Sequence, residues 1–316
     1  PDCFHAVQSL EQMLLDDGYI RLEEGDWTLT LGGKYYTVRN GSSLIAFRIP
    51  KGAPVGIMMT AAHSDSPCFR IRDNAELTGS YTRLSCERYG SMLNATWLDR
   101  PLSVAGRVLV RTEKGVESRL VDLEKDAVLI PNVAIHLNRE ANNGVKLDPA
   151  RDLLPLYGGK NAAGSFREQI AEAAGCAEED MLATDLFVYN NQPGTVWGAK
   201  GEFVSAPRLD DLACVFACAQ GFLMAKDTDA IPVLGIFDNE EIGSETKQGA
   251  ASMFLPDTLR AIREALGMTE GDKIYLSLII CYSSGAGVGF HVMKGYMDTI
   301  PKALDEAAMI DGCTRW

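Results

Sequence analysis

Val233-Leu234-Gly235-Ile236-Phe237-Asp238-Asn239-Glu240-Glu241-Ile242-Gly243 joins a short apolar run to a cluster of carboxylates. The run has the length and composition of a buried strand. Carboxylates crowded at the end of such a strand repel one another unless a cation or a proton lies among them. A divalent metal is the simplest cation. One carboxylate can ligate it while its neighbour takes a proton from the water it activates. Without a metal, the same stretch reads as a strand followed by a solvated acidic turn.

Two further segments favour the metal. Val55 to Ala62 is a second apolar run, and it ends in His63-Ser64-Asp65-Ser66-Pro67. A histidine at a strand end can bind metal through one ring nitrogen, while an aspartate two residues later accepts from the other and fixes the tautomer. A lone histidine is otherwise a hydrogen-bonded core or surface residue. In Pro207-Arg208-Leu209-Asp210-Asp211-Leu212, adjacent aspartates open a helix-like run through Leu212, Val215, Phe216, Ala219, Phe222 and Leu223. Asp211 reads as a capping residue favoured by the helix dipole. Asp210 can instead point back towards a metal. His63, Asp210 and the Glu240–Glu241 pair each lie at the edge of an apolar element, a nitrogen and oxygen donor set suited to zinc or a similar ion.

Along the chain, the spacing predicts a helix over 4–17 ending at Gly18, and short strands from Trp27 to Phe47 with turns at Gly32-Gly33 and Asn40-Gly41. Val55 to Ala62 reads as a central strand. From about 77 to 137 the texture turns to short β-like runs at 93–98, 104–112, 118–122 and 127–130. Residues 141–163 read as a polar loop, 166–174 as a helix and 182–189 as a strand. Helix, strand and helices return at 207, 231–237, 245–254 and 256–266. The expected organisation is an α/β catalytic domain, 1–76 and 203–316, interrupted by a β-rich insert, 77–202. Open α/β sheets place their sites at the carboxyl ends of strands, where the candidate ligands fall.

The 316 residues carry a net charge of −13, which argues against nucleic acid as a partner, since phosphate binding needs clustered Lys and Arg. Any preference for acidic substrates must then come from a local basic pocket. Eight cysteines without a CxxC pair fit thiols in a reducing cytoplasm; Cys214 and Cys218 read as buried thiols rather than a bridge. No apolar run approaches the length of a membrane span.

His63-Ser64-Asp65-Ser66-Pro67-Cys68, Thr96-Trp97-Leu98-Asp99-Arg100-Pro101-Leu102, Ile130-Pro131-Asn132-Val133-Ala134-Ile135-His136-Leu137, the segment 207–212 and Asp238-Asn239-Glu240-Glu241-Ile242-Gly243-Ser244 resemble, in order, motifs of the M18 metallopeptidases. Phe4-His5-Ala6-Val7, Gly41 to Phe47 and Gln248-Gly249-Ala250 fit as well. The resemblance covers the chain to roughly residue 270. It implies a zinc aminopeptidase, removing N-terminal residues, acidic ones among them, from peptides. It further implies a mixed catalytic sheet with helices on both faces, an inserted lid and dimerisation domain, and a homo-oligomer of dimer units, up to a dodecamer. By the same resemblance two zinc ions share a site. His63 and Glu241 are metal ligands, Asp210 bridges the two ions, Asp65 orients His63 and Glu240 is the general base. His136 reaches the active site of a neighbouring subunit. By alternation alone, His136 is a strand residue facing away from Val133, Ile135 and Leu137.

The family pattern also calls for a Ser-Ala-Asp segment followed by Ala-His, with the aspartate a ligand, and for a last histidine ligand. Neither motif stands in this chain. After about Tyr275 the residues match nothing in the pattern, and His291 is left unassigned. The chain is expected to be incomplete, opening at Pro1 and truncated or frame-shifted at its end. The alternatives are a catalytically inactive M18-like subunit and another di-metal amidohydrolase on the same scaffold.

Overall fold

The computed structural model describes residues 1–225 and 229–268, and the backbone of 275–280. In chain order the elements are α1 (Cys3–Asp16), β1 (Ile20–Arg21), β2 (Lys34–Arg39), β3 (Ser43–Arg48), β4 (Gly56–His63), β5 (Cys68–Leu77) and β6 (Tyr81–Tyr89). Then come β7 (Pro101–Thr112), β8 (Gly115–Asp122), β9 (Val128–Leu129), β10 (Leu156–Gly159), α2 (Ser165–Ala174), β11 (Met181–Asn190), β12 (Thr195–Trp197) and β13 (Phe203–Ser205). The last are α3 (Leu209–Met224), β14 (Ala230–Phe237), α4 (Phe254–Ala265) and β15 (Tyr275–Ile280).

The Asp2 carboxylate starts α1 by accepting from the Phe4 and His5 amides at 2.9 and 3.2 Å, and Gly18 follows the helix at φ +81. Strands β2 and β3 pair as a hairpin, its turn carried by Asn40 and Gly41, both with positive φ. The first sheet runs β1-β2-β3-β14-β4-β15. It is mixed: β14 lies parallel to β4 and antiparallel to β3, and β15 lies parallel to β4. Alternation along β3 and β14 splits the core. Leu44, Ala46, Leu234 and Ile236 pack with Val7, Leu10 and Leu14 of α1 and with Val215 and Phe222 of α3. Ile45, Phe47, Ile231 and Val233 pack instead with Phe254 and Ile262 of α4. Each of the larger of these side chains contributes about 1.5–3 kcal/mol when fully buried.

A second, seven-stranded sheet runs β11-β5-β6-β10-β9-β7-β8, and an additional β11–β7 pairing closes it into a ring. Closure satisfies backbone groups that open edges would leave unpaired. The β7–β11 approach is close at Gly106, where a Cβ would lie 2.0 Å from the Asp185 carbonyl oxygen. Val104, Val108, Leu186, Phe69 and Leu84 fill the interior, with Phe166 and Ile170 of α2 packed against them.

Several sequence expectations change. The 93–98 run is a 3-10 turn (Asn94–Trp97), its Trp97 ring set edge-on to Phe69 at 5.1 Å. Residues 131–137 form no strand: Val133, Ile135 and Leu137 are exposed, so their alternation has no buried face to serve. The segment 245–253 is a succession of turns rather than a helix, because Thr246 and Gln248 are spent on hydrogen bonds to Asn239. The polar 141–163 stretch contains the strand β10. Strand β5 pairs inside the second sheet, so the chain leaves the first sheet directly after His63. The readings made of residues 281–316, His291 included, lie outside the described residues.

Candidate metal centre

Two neighbouring parallel strands, β4 and β14, end together in the register Phe237↔His63. His63 closes β4, and the chain turns sharply after β14 through Asn239, in the left-handed region at φ +64, into Glu240–Ile242. Asn tolerates that conformation better than most side-chain-bearing residues. Asp210 and Asp211 lie at the start of α3 with non-helical backbone angles and a cis peptide bond between them.

The two ring nitrogens of His63 face different partners. Nδ1 lies 3.2 Å from Asp65 Oδ1 and 3.1 Å from the Asp65 carbonyl oxygen. Nε2 lies 3.6 Å from Asp210 Oδ1, 3.7 Å from Asp211 Oδ2 and 3.9 Å from Glu240 Oε2. His63, Asp210 and Asp211 form one group of ligand atoms within 4.8 Å of one another, and His63, Glu240 and Glu241 form a second. A tetrahedral zinc ion with bonds of about 2.0–2.2 Å holds its ligand atoms about 3.4 Å apart. The spacing around Nε2 is slightly wider than that, and the imidazole and carboxylate donors suit the ion. These residues fit zinc.

Asp65, only 3% exposed, organises the centre. Its Oδ1 accepts from the Glu240 amide at 3.2 Å as well as facing His63. Its Oδ2 accepts from the Tyr89 hydroxyl at 2.6 Å and the Glu241 amide at 3.2 Å. Burial alone would raise the Asp65 carboxyl, but the bonds to His63 and Tyr89 outweigh it and hold the group below its ordinary value. Burial likewise works to lower His63, and the hydrogen bond and charge of Asp65, with the charges of Asp211 and Glu240, lift it to about 9. Burial first, then the Asp65 charge, pushes Glu241 up to about 7. The metal-free centre thus holds protons where positive charge is wanted.

Of the residues picked from sequence, His63, Asp65, Asp210, Glu240 and Glu241 come together. His136 belongs to neither group; it is exposed in the 131–137 loop, which Asp99 ties down by accepting from the Asn132 amide at 2.7 Å. The sequence favours Asp211 as a helix cap, yet its Oδ2 accepts from the His63 amide at 3.0 Å, and no side chain caps α3. The non-helical backbone turns that carboxylate away from the helix. Tyr89 was not identified at all. It is 24 residues from Asp65 and belongs to the other sheet, so no local pattern marks it. Asn239 was visible only as part of a motif.

Comparisons with known proteins identify the family. The family model described as Aminopeptidase I zinc metalloprotease (M18) matches residues 1–286. A Probable M18 family aminopeptidase 2 from Clostridium acetobutylicum is 40% identical over 311 residues, covering 93% of this chain and 71% of the relative. The chain belongs to the M18 metallopeptidases. Solved M18-like structures share its mixed α/β fold. A chain of the Ape4 and Nbr1 complex superposes with a TM-score of 0.81 at 30% identity, covering 86% of this chain and 57% of that one. The S. cerevisiae mApe1 dodecamer gives a TM-score of 0.72 at 26% identity, covering 85% and 64%. This M18 chain therefore spans little more than half of the matched chain of the Ape4 and Nbr1 complex and about seven-tenths of the Clostridium relative.

Proposed function

We propose that this chain carries the metal centre of an M18 zinc aminopeptidase that removes N-terminal residues from peptides. The observation that carries the reading is the split environment of His63, with Asp65 at Nδ1 and an arc of carboxylates at Nε2. In this reading His63, Asp210 and Glu241 would hold the zinc, two ions by the family pattern, and Asp65 fixes the His63 tautomer. Zinc, when bound, polarises the scissile carbonyl and makes water acidic enough to serve as a nucleophile near neutral pH. Glu240 takes the proton from the attacking water at its carboxylate and delivers it to the departing amine nitrogen. Asp211 holds the His63 backbone, and Asn239 fixes the turn that presents Glu240. His136, on its exposed loop, is assigned to the active site of a neighbouring subunit.

A cavity of about 640 Å³ adjoins the centre and shares Asp65 and Asp210 with it. Arg70, Arg88, Arg100, Arg107 and Arg208 line it, and the Nε atoms of Arg100 and Arg208 are buried without a hydrogen-bond partner among the described residues. Arg70 and Arg107 are already paired with Asp185. Asp2, Glu87 and Asp238 line the cavity as well, so the case for an acidic N-terminal residue as substrate rests on the unpartnered Nε atoms of Arg100 and Arg208.

The reading assigns the first sheet, with α1 and α3 on one face and α4 on the other, to the catalytic domain and the closed second sheet to an inserted lid and dimerisation domain. The β12–β13 ribbon exposes Val196, Trp197, Phe203 and Val204, apolar area that a homo-oligomer of dimer units, dodecameric as in mApe1, would cover. A cytoplasmic location fits Cys3, Cys68, Cys86 and Cys176 as free thiols, and no described helix is long and apolar enough to cross a membrane. The test is Glu240→Gln in the intact protein. Release of N-terminal residues should fall by about 10²–10⁴-fold with zinc content unchanged; near-normal turnover sinks the assignment.

A further inference from the structure

The centre is assembled by both sheets. Strand β6 belongs to the closed second sheet, and its last residue, Tyr89, meets the turn that follows β14 of the first sheet. The Tyr89 hydroxyl donates to Asp65 Oδ2 at 2.6 Å and accepts from Asn239 Nδ2 at 2.8 Å. Asn239 is fixed in turn, since its Oδ1 accepts from Thr246 Oγ1 at 2.6 Å and Gln248 Nε2 at 2.9 Å. One hydroxyl thereby joins the carboxylate that faces His63 to the residue that begins the Glu240–Glu241 turn. The residue after it is also in contact: a Cβ at Gly90, whose φ is +74, would lie 2.9 Å from Glu241 Cβ and 3.0 Å from its Oε2. Only a glycine leaves Glu241 its present place.

We propose that Tyr89 is a positioning residue for the metal centre, holding Asp65 and Asn239 in one register so that His63, Glu240 and Glu241 converge. The proposal rests on the zinc reading above but adds a group from the second sheet whose hydroxyl bonds to Asp65 and Asn239 rather than to a candidate ligand side chain. Two carboxylate oxygens of Asp65 serve four donors, and the hydroxyl is the shortest of those contacts. Without it Asp65 can rotate away from the two glutamate amides, and the ring of His63 loses its fixed partner. Partners of metal ligands typically matter by about 10- to 100-fold in metal affinity.

The experiment compares the wild-type chain with Tyr89→Phe and Tyr89→Leu, measuring zinc affinity by chelator competition and hydrogen exchange of the Glu240 and Glu241 amides in metal-free protein. Phenylalanine keeps the edge-on contact that Tyr89 makes with Phe187 at 6.0 Å; leucine does not. Positioning requires both variants to lose zinc affinity by about 10- to 100-fold, and Tyr89→Phe to speed exchange of the two amides by about tenfold. A pure packing role instead leaves Tyr89→Phe within about twofold of wild type and weakens only Tyr89→Leu, which overturns the proposal. Should the wild-type chain itself bind no zinc, the functional reading fails, and the amides still decide the anchoring: unchanged exchange in Tyr89→Phe overturns it and faster exchange supports it.

Discussion

Replacing Asp65 by Asn changes one oxygen into an amide and removes one charge, and the geometry fixes what that does. Oδ1 faces His63 Nδ1 and the Glu240 amide; Oδ2 faces the Tyr89 hydroxyl and the Glu241 amide. His63 can exchange tautomers and the Tyr89 hydroxyl can rotate, but neither backbone N–H can turn round. Whichever way the new side chain flips, its NH₂ meets a peptide N–H, so one donor–donor clash is unavoidable. An unsatisfied buried donor costs about 1–3 kcal/mol, and the remaining contacts lose their charge assistance, roughly halving their strength. Burying a neutral amide instead of a carboxylate recovers part of this, because burial is the largest influence on Asp65 and opposes its charge. The net loss is about 2–4 kcal/mol, a large share of the 5–15 kcal/mol typical of a folded domain. Urea denaturation of metal-free wild-type and Asp65→Asn protein at pH 7 measures it, and zinc affinity should fall about 10- to 100-fold in parallel. A difference below about 1 kcal/mol would refute the view that Asp65 organises this centre.

The metal-free protein should lose stability as pH rises from about 5 to 9. His63 sits at about 9 in the fold against an ordinary 6.5, so its contribution, on the order of 3 kcal/mol, is complete below pH 6.5 and gone above 9. Glu241, raised to about 7 from 4.5, acts in the same direction, complete below 4.5 and lost through 7. Asp65, held below its ordinary value, opposes them only in acid. Urea midpoints of chelator-treated protein at pH 6 and 9 check the slope, which zinc should reverse because binding displaces the protons. Gly106→Ala, with its Cβ 2.0 Å from the Asp185 carbonyl, should destabilise by about 1–3 kcal/mol or more through separation of β7 from β11, read from thermal melting. Trp197→Ser combined with Phe203→Ser should reduce the size of any assembly seen by light scattering while leaving far-UV circular dichroism unchanged; an unaltered oligomer removes the ribbon from the interface.

The parts of the site legible in sequence are those where chemistry and local order coincide. His63 and the Asp238–Glu241 cluster follow apolar runs, and parallel pairing of those runs brings their ends together without further help. The helix over 4–17 is legible because the apolar spacing and Gly18 agree, while the Asp2 cap emerges only from the structure. Residues 133–137 show the opposite case: alternation is a necessary consequence of a half-buried strand but not a sufficient cause, and here no sheet edge receives it. The 245–254 stretch lacks its expected helix as far as Met253 for a related reason. Its polar side chains stabilise Asn239 across the turn, and that long-range use of Thr246 and Gln248 outweighs a weak local preference for helix.

Asp211 and Tyr89 were illegible for a reason that bears on the mechanism. A cap and a carboxylate turned back to a strand look identical in sequence, and only the backbone between Asp210 and Asp211 tells them apart. Tyr89 acts across two sheets whose contact no periodicity encodes. Metal ligands are set by short motifs at strand ends, whereas the groups that aim those ligands are recruited wherever the fold brings a donor within reach. The centre is therefore sensitive to how the two sheets meet. A substitution in β6, far from any ligand in sequence, can loosen His63 as effectively as one beside it.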